Sequence, residues 1–324
     1  MKFLEDLINK SSIMQRMIGV TSKQLELLET QILAHWQESE NKRKNRYTRK
    51  RGIGAGHPYK FKTMKEKIVI VLLFYKNYWT QEALGMYIGL DQSNVSRLLA
   101  KFLPIMEKAA DPELAGYLDK LVEEYEAAEK TNNLAAFYAK YEKEINEATH
   151  DVTEGQILRP EDDEEQKKHY SGKKKKHTLK TQISVSSYAF ILNVSKTYHG
   201  SIHDKKIMDI EKTLSKIPNN ICQRLDSGYQ GVKQLNPTKY IILPFKKPKG
   251  KELSKLEKEL NKAHSKRRVI VENVISRMKK FKILAGVYRG LRESYNQIFR
   301  NVAALVNFKL KNGRGVAQQH RFSG

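Results

Sequence analysis

The chain has 324 residues, which at about 100–200 residues per domain leaves room for two domains. Sixty Lys and Arg against 36 Asp and Glu give a formal net charge of +24 and a pI near 9.8, which points to a polyanionic partner. Hydrophobic residues at 40% exclude wholesale disorder, and the single cysteine, Cys222, excludes both a disulfide framework and a cysteine-rich zinc module. The longest apolar run, Ile68–Tyr75, falls short of the ~20 residues that span a bilayer. The opening MKFLEDLINK lacks the apolar stretch of a signal peptide. A soluble, intracellular, basic protein is expected.

Up to Lys108 the apolar residues recur at helical spacing, as in Leu25, Leu28, Ile32 and Leu33 and again in Ile68, Val71, Leu72 and Tyr75. Between these groups, residues 41–62 read NKRKNRYTRKRGIGAGHPYKFK, a basic, Gly-rich stretch that serves either as a solvated linker or as a phosphate contact. The segment TQEALGMYIGLDQSNVSRLLAKF then carries the spacing of a helix-turn-helix. Leu84, Ile88, Leu90, Val95 and Leu98 supply the packing positions, Gly85 permits close approach, and Gly89 suits a left-handed cap. Thr80 can cap the first helix and Asp91 or Ser93 the second. Gln92, Ser93, Asn94 and Arg97, followed by Lys101, would then face a major groove, where Gln and Asn can pair with adenine and Arg with guanine. The alternative is an ordinary helical hairpin whose polar face meets only water.

Beyond Lys108 the balance turns acidic as far as the run Glu161–Glu165, and residues 115–144 read as helix. Lys173–Lys176 opens a second basic half, read as a hairpin tip touching phosphate, with a purely solvated loop as the alternative. From Leu179 to Val185 the apolar residues alternate like a half-buried strand, and Phe190–Thr197 offers a second. A helix over Asp204–Ile217, short strands at Ile221–Leu225 and Tyr240–Phe245, and helices over Leu253–Ala285 and Tyr295–Leu310 complete an α/β domain of about 160 residues, a usual domain size.

Three carboxylates in this half stand apart from surface decoration. Asp151 begins DVTEGQILRP; Asp226 follows a strand and opens DSGYQG, at the strand end where open α/β sheets place their chemistry. Glu272 lies among Val269, Val274, Ile275 and Met278 on a helix, where an acid is costly unless it meets a cation. Hard divalent cations take oxygen ligands of this kind. Separately solvated or salt-bridged acids are the competing reading, and spacing alone does not decide between them.

The surrounding words carry a resemblance. DVTEGQILRP, HYSGKKKKHTLKTQ, the Gly200–Asp204 stretch, DSGYQG and RRVIVENVISRMKKFKIL follow in an order that resembles the DDE transposases of bacterial insertion sequences, the group related to eukaryotic Harbinger elements. The resemblance implies an RNase H-like mixed sheet flanked by helices, preceded by an all-α helix-turn-helix domain. It implies catalytic and metal-binding roles for Asp151, Asp226 and Glu272, which would hold two Mg²⁺ ions, with Mn²⁺ able to substitute. The family's Tyr-Arg-Glu-Lys signature falls on Ser265, Arg268, Glu272 and Lys279, so the tyrosine is missing here. Arg268 and Lys279 share roughly one helix face with Glu272 and could hold DNA phosphate or balance Glu272 as ion pairs. The resemblance implies that His203 and Asp204 lie beside the metal site, orienting ligands or DNA; an N-cap by Asp204 with a solvated His203 is the competing reading. Residues 1–110 form the expected DNA-binding domain with the helix-turn-helix at 80–102, 111–147 an acidic helical connector, 148–312 the catalytic domain and 313–324 a flexible tail. Double-stranded DNA (terminal inverted repeats and target) and a homodimer on paired ends are the implied partners, in the cytoplasm and on the nucleoid of a bacterial host. The stretch just before Asp151, residues 144–150, is far more polar than a central strand should be. That feature favours a rival, a helix-turn-helix regulator with a decayed catalytic half; an RNase H-fold nuclease without strand transfer is a third reading.

Overall fold

A computed structural model describes residues 2–45, 47, 48, 50, 52, 60–141 and 145–313. The tail from 314 onward and part of the basic stretch at 41–62 lie outside the described residues. The chain forms two compact units. One gathers the described residues of Met1–Pro112, Lys279–Gly286 and Gln297–Gln318; the other gathers those of Glu113–Met278 and Val287–Asn296.

The first unit is helical throughout: α1 (Lys2–Asn9), α2 (Ser11–Ile18), α3 (Ser22–Lys44), α4 (Met64–Asn77), α5 (Gln81–Ile88), α6 (Gln92–Phe102) and α7 (Met106–Ala110). Its first long helices start where the sequence places caps. Thr21 and Gln24 form a reciprocal capping box at α3, and Thr63 and Glu66 form another at α4. Helix α4 is apolar on every side from Ile68 to Leu73 and is buried on every side, as a helix without a polar face must be. The C-terminal segment supplies the rest of this core, with Val302–Val306 and Phe308 buried.

That segment also satisfies the polar groups enclosed with it. Asn301 accepts from the Glu107 amide and donates to the Tyr75 hydroxyl and the Leu103 carbonyl. Burial pushes Tyr75 up to about 12, with Asn301 opposing the shift. Glu107 receives the Arg300 Nε at 2.9 and 3.0 Å on its two oxygens and the Gln297 amide at 2.9 Å. The carboxylate is thus enclosed but fully paired, as a buried charge has to be.

The second unit runs α8 (Tyr117–Lys130), α9 (Leu134–Tyr141), β1 (Glu147–Gln156), α10 (Asp163–His169), β2 (Tyr170–Ser171), β3 (Lys176–Ser186), β4 (Ile191–His199), α11 (Asp204–Glu211), β5 (Cys222–Arg224), α12 (Val232–Leu235), β6 (Ile241–Ile242) and α13 (Lys255–Lys279). Helix α14 (Lys282–Ala285) and helix α15 (Arg292–Lys311) complete the chain order. The sheet order is β4-β3-β1-β5-β6, with short β2 also paired to β3. β1 and β4 run antiparallel to β3, whereas β5 and β6 continue parallel to β1. This is the RNase H-like mixed sheet that the resemblance implies, preceded by an all-helical region. Helices α8 and α9 pack on it through Leu118, Leu121, Phe137 and Tyr141 against Ala148, Leu192 and Ile221.

Three helices differ from their expected lengths. The one expected over 115–144 is broken at residues 131–133 into α8 and α9. The helix expected over Asp204–Ile217 ends at Glu211, because Lys212 takes a left-handed conformation (φ 51°) and its amide closes back on Met208 and Asp209. The helix expected over Leu253–Ala285 breaks after Lys279, and Phe281 in extended conformation starts α14 afresh. Strand β1 is the larger surprise, since it runs through the polar stretch to Gln156 and places Asp151 mid-strand. Two of its buried polar residues lie opposite polar ones: His150 is across from Ser184, with Nδ1 and the hydroxyl 2.8 Å apart, and Thr153 is across from Thr181, whereas Thr149 and Asp151 face Val185 and Ile183. Side chains that pair across the ladder make a central strand without an apolar pattern.

Candidate active site

The parallel register of β1 and β5 pairs Glu147 with Cys222, Ala148 with Gln223 and Thr149 with Arg224. Carried two residues further, the same register sets Asp151 opposite Asp226, just past the end of β5. Neighbouring strands are ~4.8 Å apart, so the two carboxylates rise on the same side from adjacent strands. Each is anchored locally. Asp151 Oδ1 accepts from the Val152 amide at 2.8 Å, and Asp226 Oδ1 accepts from the Ser227 amide and, at 3.1 Å, from the Ser227 hydroxyl. Tyr229, in the turn that follows, is buried with Met208, Leu225, Val232 and Ile241, so it serves packing.

One cation spans both. The Arg268 Nη2 lies 3.8 Å from Asp151 Oδ2, and Nη1 lies 3.6 Å from Asp226 Oδ1. Both separations exceed a charge-assisted hydrogen bond of about 2.7–2.9 Å, and the buried Arg268 Nε has no hydrogen-bond partner. Burial raises the Asp151 carboxyl above the ordinary carboxylate range, Arg268 and the Val152 amide pull it down, and Asp226 and Asp204 push it up. The pair therefore carries negative charge that its surroundings compensate only in part. Oxygen donors so placed fit a hard divalent cation.

Glu272 lies on α13 one turn beyond Arg268 and is exposed. Among the described residues, no group of three or more His, Cys, Asp or Glu side chains gathers as a ligand set. The structure thus brings Asp151 and Asp226 together through Arg268, with Glu272 adjacent on the helix that carries Arg268. Asp204 opens α11 and accepts from the Lys180 Nζ at 2.9 Å, while Lys180 also donates to the Ile202 carbonyl at 2.8 Å. His203 is the N-cap of α11, exposed and without a capping bond from its side chain. Sequence reasoning missed Lys180. The one available signal was a lysine inside the alternating strand LKTQISV, where a buried cation needs a carboxylate partner.

Two other acids near Asp151 are engaged elsewhere. Glu154 lies three residues on in an extended strand, hence on the opposite face, and accepts from the Thr178 hydroxyl at 2.7 Å. Glu147 is buried with Arg224 at 2.6 Å and Arg267 at 3.5 Å.

In the helical unit, Thr80 caps α5 by accepting from the Ala83 amide, and Gly89 ends that helix at φ 67°. At Gly85 an added Cβ would run into the Leu90 carbonyl, so the turn that leads from α5 into α6 folds back over α5 only because residue 85 is glycine. Asp91 occupies the N-cap position of α6, but its side chain makes no capping bond. Gln92, Ser93, Asn94 and Arg97 are all exposed on α6. Arg97 donates to Asn94 at 3.0 Å and Gln92 to Gln81 at 2.8 Å. Lys101 instead pairs with Glu40 at 3.0 Å and lies over the Trp36 ring. Lys173, Lys174, Lys175 and Lys176 are exposed where β2 turns into β3, with Lys176 donating to Gln156 at 3.1 Å. Lys279 is the last residue of α13 and half-buried. Among the described residues, no helix is long and apolar enough to cross a membrane.

Residues 150–307 match the family model of the DDE superfamily endonuclease. The chain is also 29% identical over 250 residues to a protein of Microchaete diplosiphon described as a probable transposase for insertion sequence element IS702, a match covering 76% of this chain and 81% of that one. No solved structure matches it.

Proposed function

We propose that the chain, whose residues 150–307 match the DDE superfamily endonuclease and which is similar to a probable insertion-sequence transposase, is a DDE-type transposase that binds the inverted repeats of its own element and performs metal-dependent strand cleavage and strand transfer there. The observation that carries this reading is the convergence of Asp151 and Asp226 on one cation from adjacent parallel strands. The superfamily uses divalent metal. Asp151 and Asp226, with Glu272 from the neighbouring helix, are the residues proposed to hold it, as two Mg²⁺ ions or Mn²⁺ in their place. What such ions supply when bound is activation of the attacking oxygen and stabilisation of the leaving 3′-oxygen.

The chain's own residues do the rest. Asp151 and Asp226 hold position through the Val152 and Ser227 amides. Arg268, Lys279 and the lysines at 173–176 are proposed to bind backbone phosphate, and Asp204, fixed by Lys180, to shape the wall of the site beside His203. One chain handles one end, so two ends call for at least a dimer.

Joining of a pre-cut end to target DNA tests the reading. A chain that nicks end DNA but never joins a free 3′-hydroxyl would be a nuclease instead. A chain that binds and does neither would be a regulator.

The exposed start of α6 is the proposed reading surface, and Lys101, drawn to Glu40, would have to leave that partner to join it. Arg97→Ala should weaken binding mainly on the cognate sequence, by about 1–3 kcal/mol if Arg97 pairs with a guanine. Binding titrations on cognate and scrambled duplexes check this. An equal loss on both would make Arg97 a phosphate contact.

A further inference from the structure

We propose that Arg268 is a removable counter-cation: in the DNA-free protein its guanidinium lies across Asp151 and Asp226 and competes with a divalent cation for them, and DNA phosphate relieves the competition by drawing it away. The inference rests on the reading of the aspartate pair given above. Three observations on Arg268 itself support it. A single guanidinium faces both carboxylates, through Nη2 on one and Nη1 on the other. At 3.8 and 3.6 Å it is held by charge rather than by hydrogen bonds, and its buried Nε has no hydrogen-bond partner among the described residues. An arginine fixed for a structural purpose would close a bidentate fork on one carboxylate; this one spans two.

The surroundings bear the same stamp. Asp204 cannot serve as an alternative seat for Arg268, because Lys180 already occupies it at 2.9 Å. The Arg268 side chain is 15% exposed, but the Asp226 side chain beside it is 42% exposed, so phosphate can approach from the Asp226 side. Two carboxylates side by side on adjacent strands, both only partly exposed, are stabilised by a positive charge in every state. Arginine supplies it when the site is free, and its planar fork is equally suited to phosphate. Exchanging one partner for the other couples DNA binding to metal binding, and thermodynamic linkage makes that coupling reciprocal.

The test is titration of the full chain with Mn²⁺ alone, without DNA, following free Mn²⁺ by electron paramagnetic resonance. Arg268→Gln should bind Mn²⁺ more tightly than wild type by about fivefold or more, the lower end of ordinary coupling between sites. Arg268→Lys keeps the charge but cannot span both carboxylates, and should show a smaller gain in the same direction. Adding a duplex oligonucleotide should tighten Mn²⁺ binding by a larger factor in wild type than in Arg268→Gln. Asp226→Asn should lose Mn²⁺ binding. If Asp226→Asn loses binding but Arg268→Gln binds no tighter than wild type, the competition is refuted and the aspartate site stands. If Asp226→Asn binds Mn²⁺ like wild type, the aspartate site itself is refuted. Should the glutamine variant fail to fold, the lysine variant is read by the same criterion, and the absence of any gain overturns the proposal.

Discussion

Asp226→Asn should bring metal-dependent cleavage of end DNA down to background while binding to that DNA stays within a few-fold of wild type. The substitution keeps the shape and keeps an oxygen to accept from the Ser227 amide and hydroxyl, so the turn after β5 survives. It removes one of the two charges that converge on Arg268. Loss of an outer-shell partner of a metal ligand can cost about 10–100-fold, so loss of a ligand itself should exceed about a hundredfold. Asp151→Asn should behave alike, since its oxygen can still accept from Val152. Glu154→Gln and Glu147→Gln are the controls: the first lies on the other face of β1 with Thr178, the second is tied to Arg224 and Arg267. Glu272→Gln tests the third member, which stands exposed one turn beyond Arg268. Nicking at the wild-type rate by Asp226→Asn would end the assignment of this site, and wild-type nicking by Glu272→Gln would remove that residue from it.

The largest stability effect is expected at Glu107. Its side chain is 8% exposed, and it accepts both contacts from Arg300 Nε and one from Gln297. Glu107→Ala leaves the Arg300 guanidinium enclosed without its carboxylate, which typically costs about 3–5 kcal/mol. Denaturant unfolding followed by far-ultraviolet circular dichroism should show the helical unit melting early. A double variant, Glu107→Leu with Arg300→Met, should recover much of the loss, because an apolar pair of similar volume satisfies the same space. A loss below about 1 kcal/mol, the range of exposed ion pairs, would show that Arg300 finds water instead.

The sequence made the helix pair α5–α6 legible because its constraints are local. A cap at Thr80, a left-handed residue at Gly89 and a glycine facing the Leu90 carbonyl are each read from a few neighbouring residues. The position of Asp226 was legible for the same reason, since a strand followed by a small-residue turn is a short-range pattern. Strand β1 was not. The burial of His150 depends on Ser184, 34 residues away in the chain, which makes a polar side chain acceptable in a central strand. Nor could periodicity show that Arg268 clasps two aspartates, or that Lys180 holds Asp204; each contact joins elements that only the sheet register brings together. The apolar face of α15 was plain from its spacing, but the residues it satisfies, Glu107 and Tyr75, were not.

The helical unit's dependence on the far end of the chain sets the order of events during synthesis. Helices α1–α7 leave the ribosome first, yet Glu107, Tyr75 and the Leu103 carbonyl find their partners only when Gln297, Arg300 and Asn301 have been made. At about 5–20 residues per second, that interval is on the order of ten seconds or more. Throughout it, the apolar Ile68–Leu73 stretch of α4 and the enclosed carboxylate of Glu107 lack part of their cover. Nascent chains should therefore engage chaperones through this stretch, and a gene copy interrupted before Gln297 should leave no stably folded amino-terminal product to occupy DNA on its own.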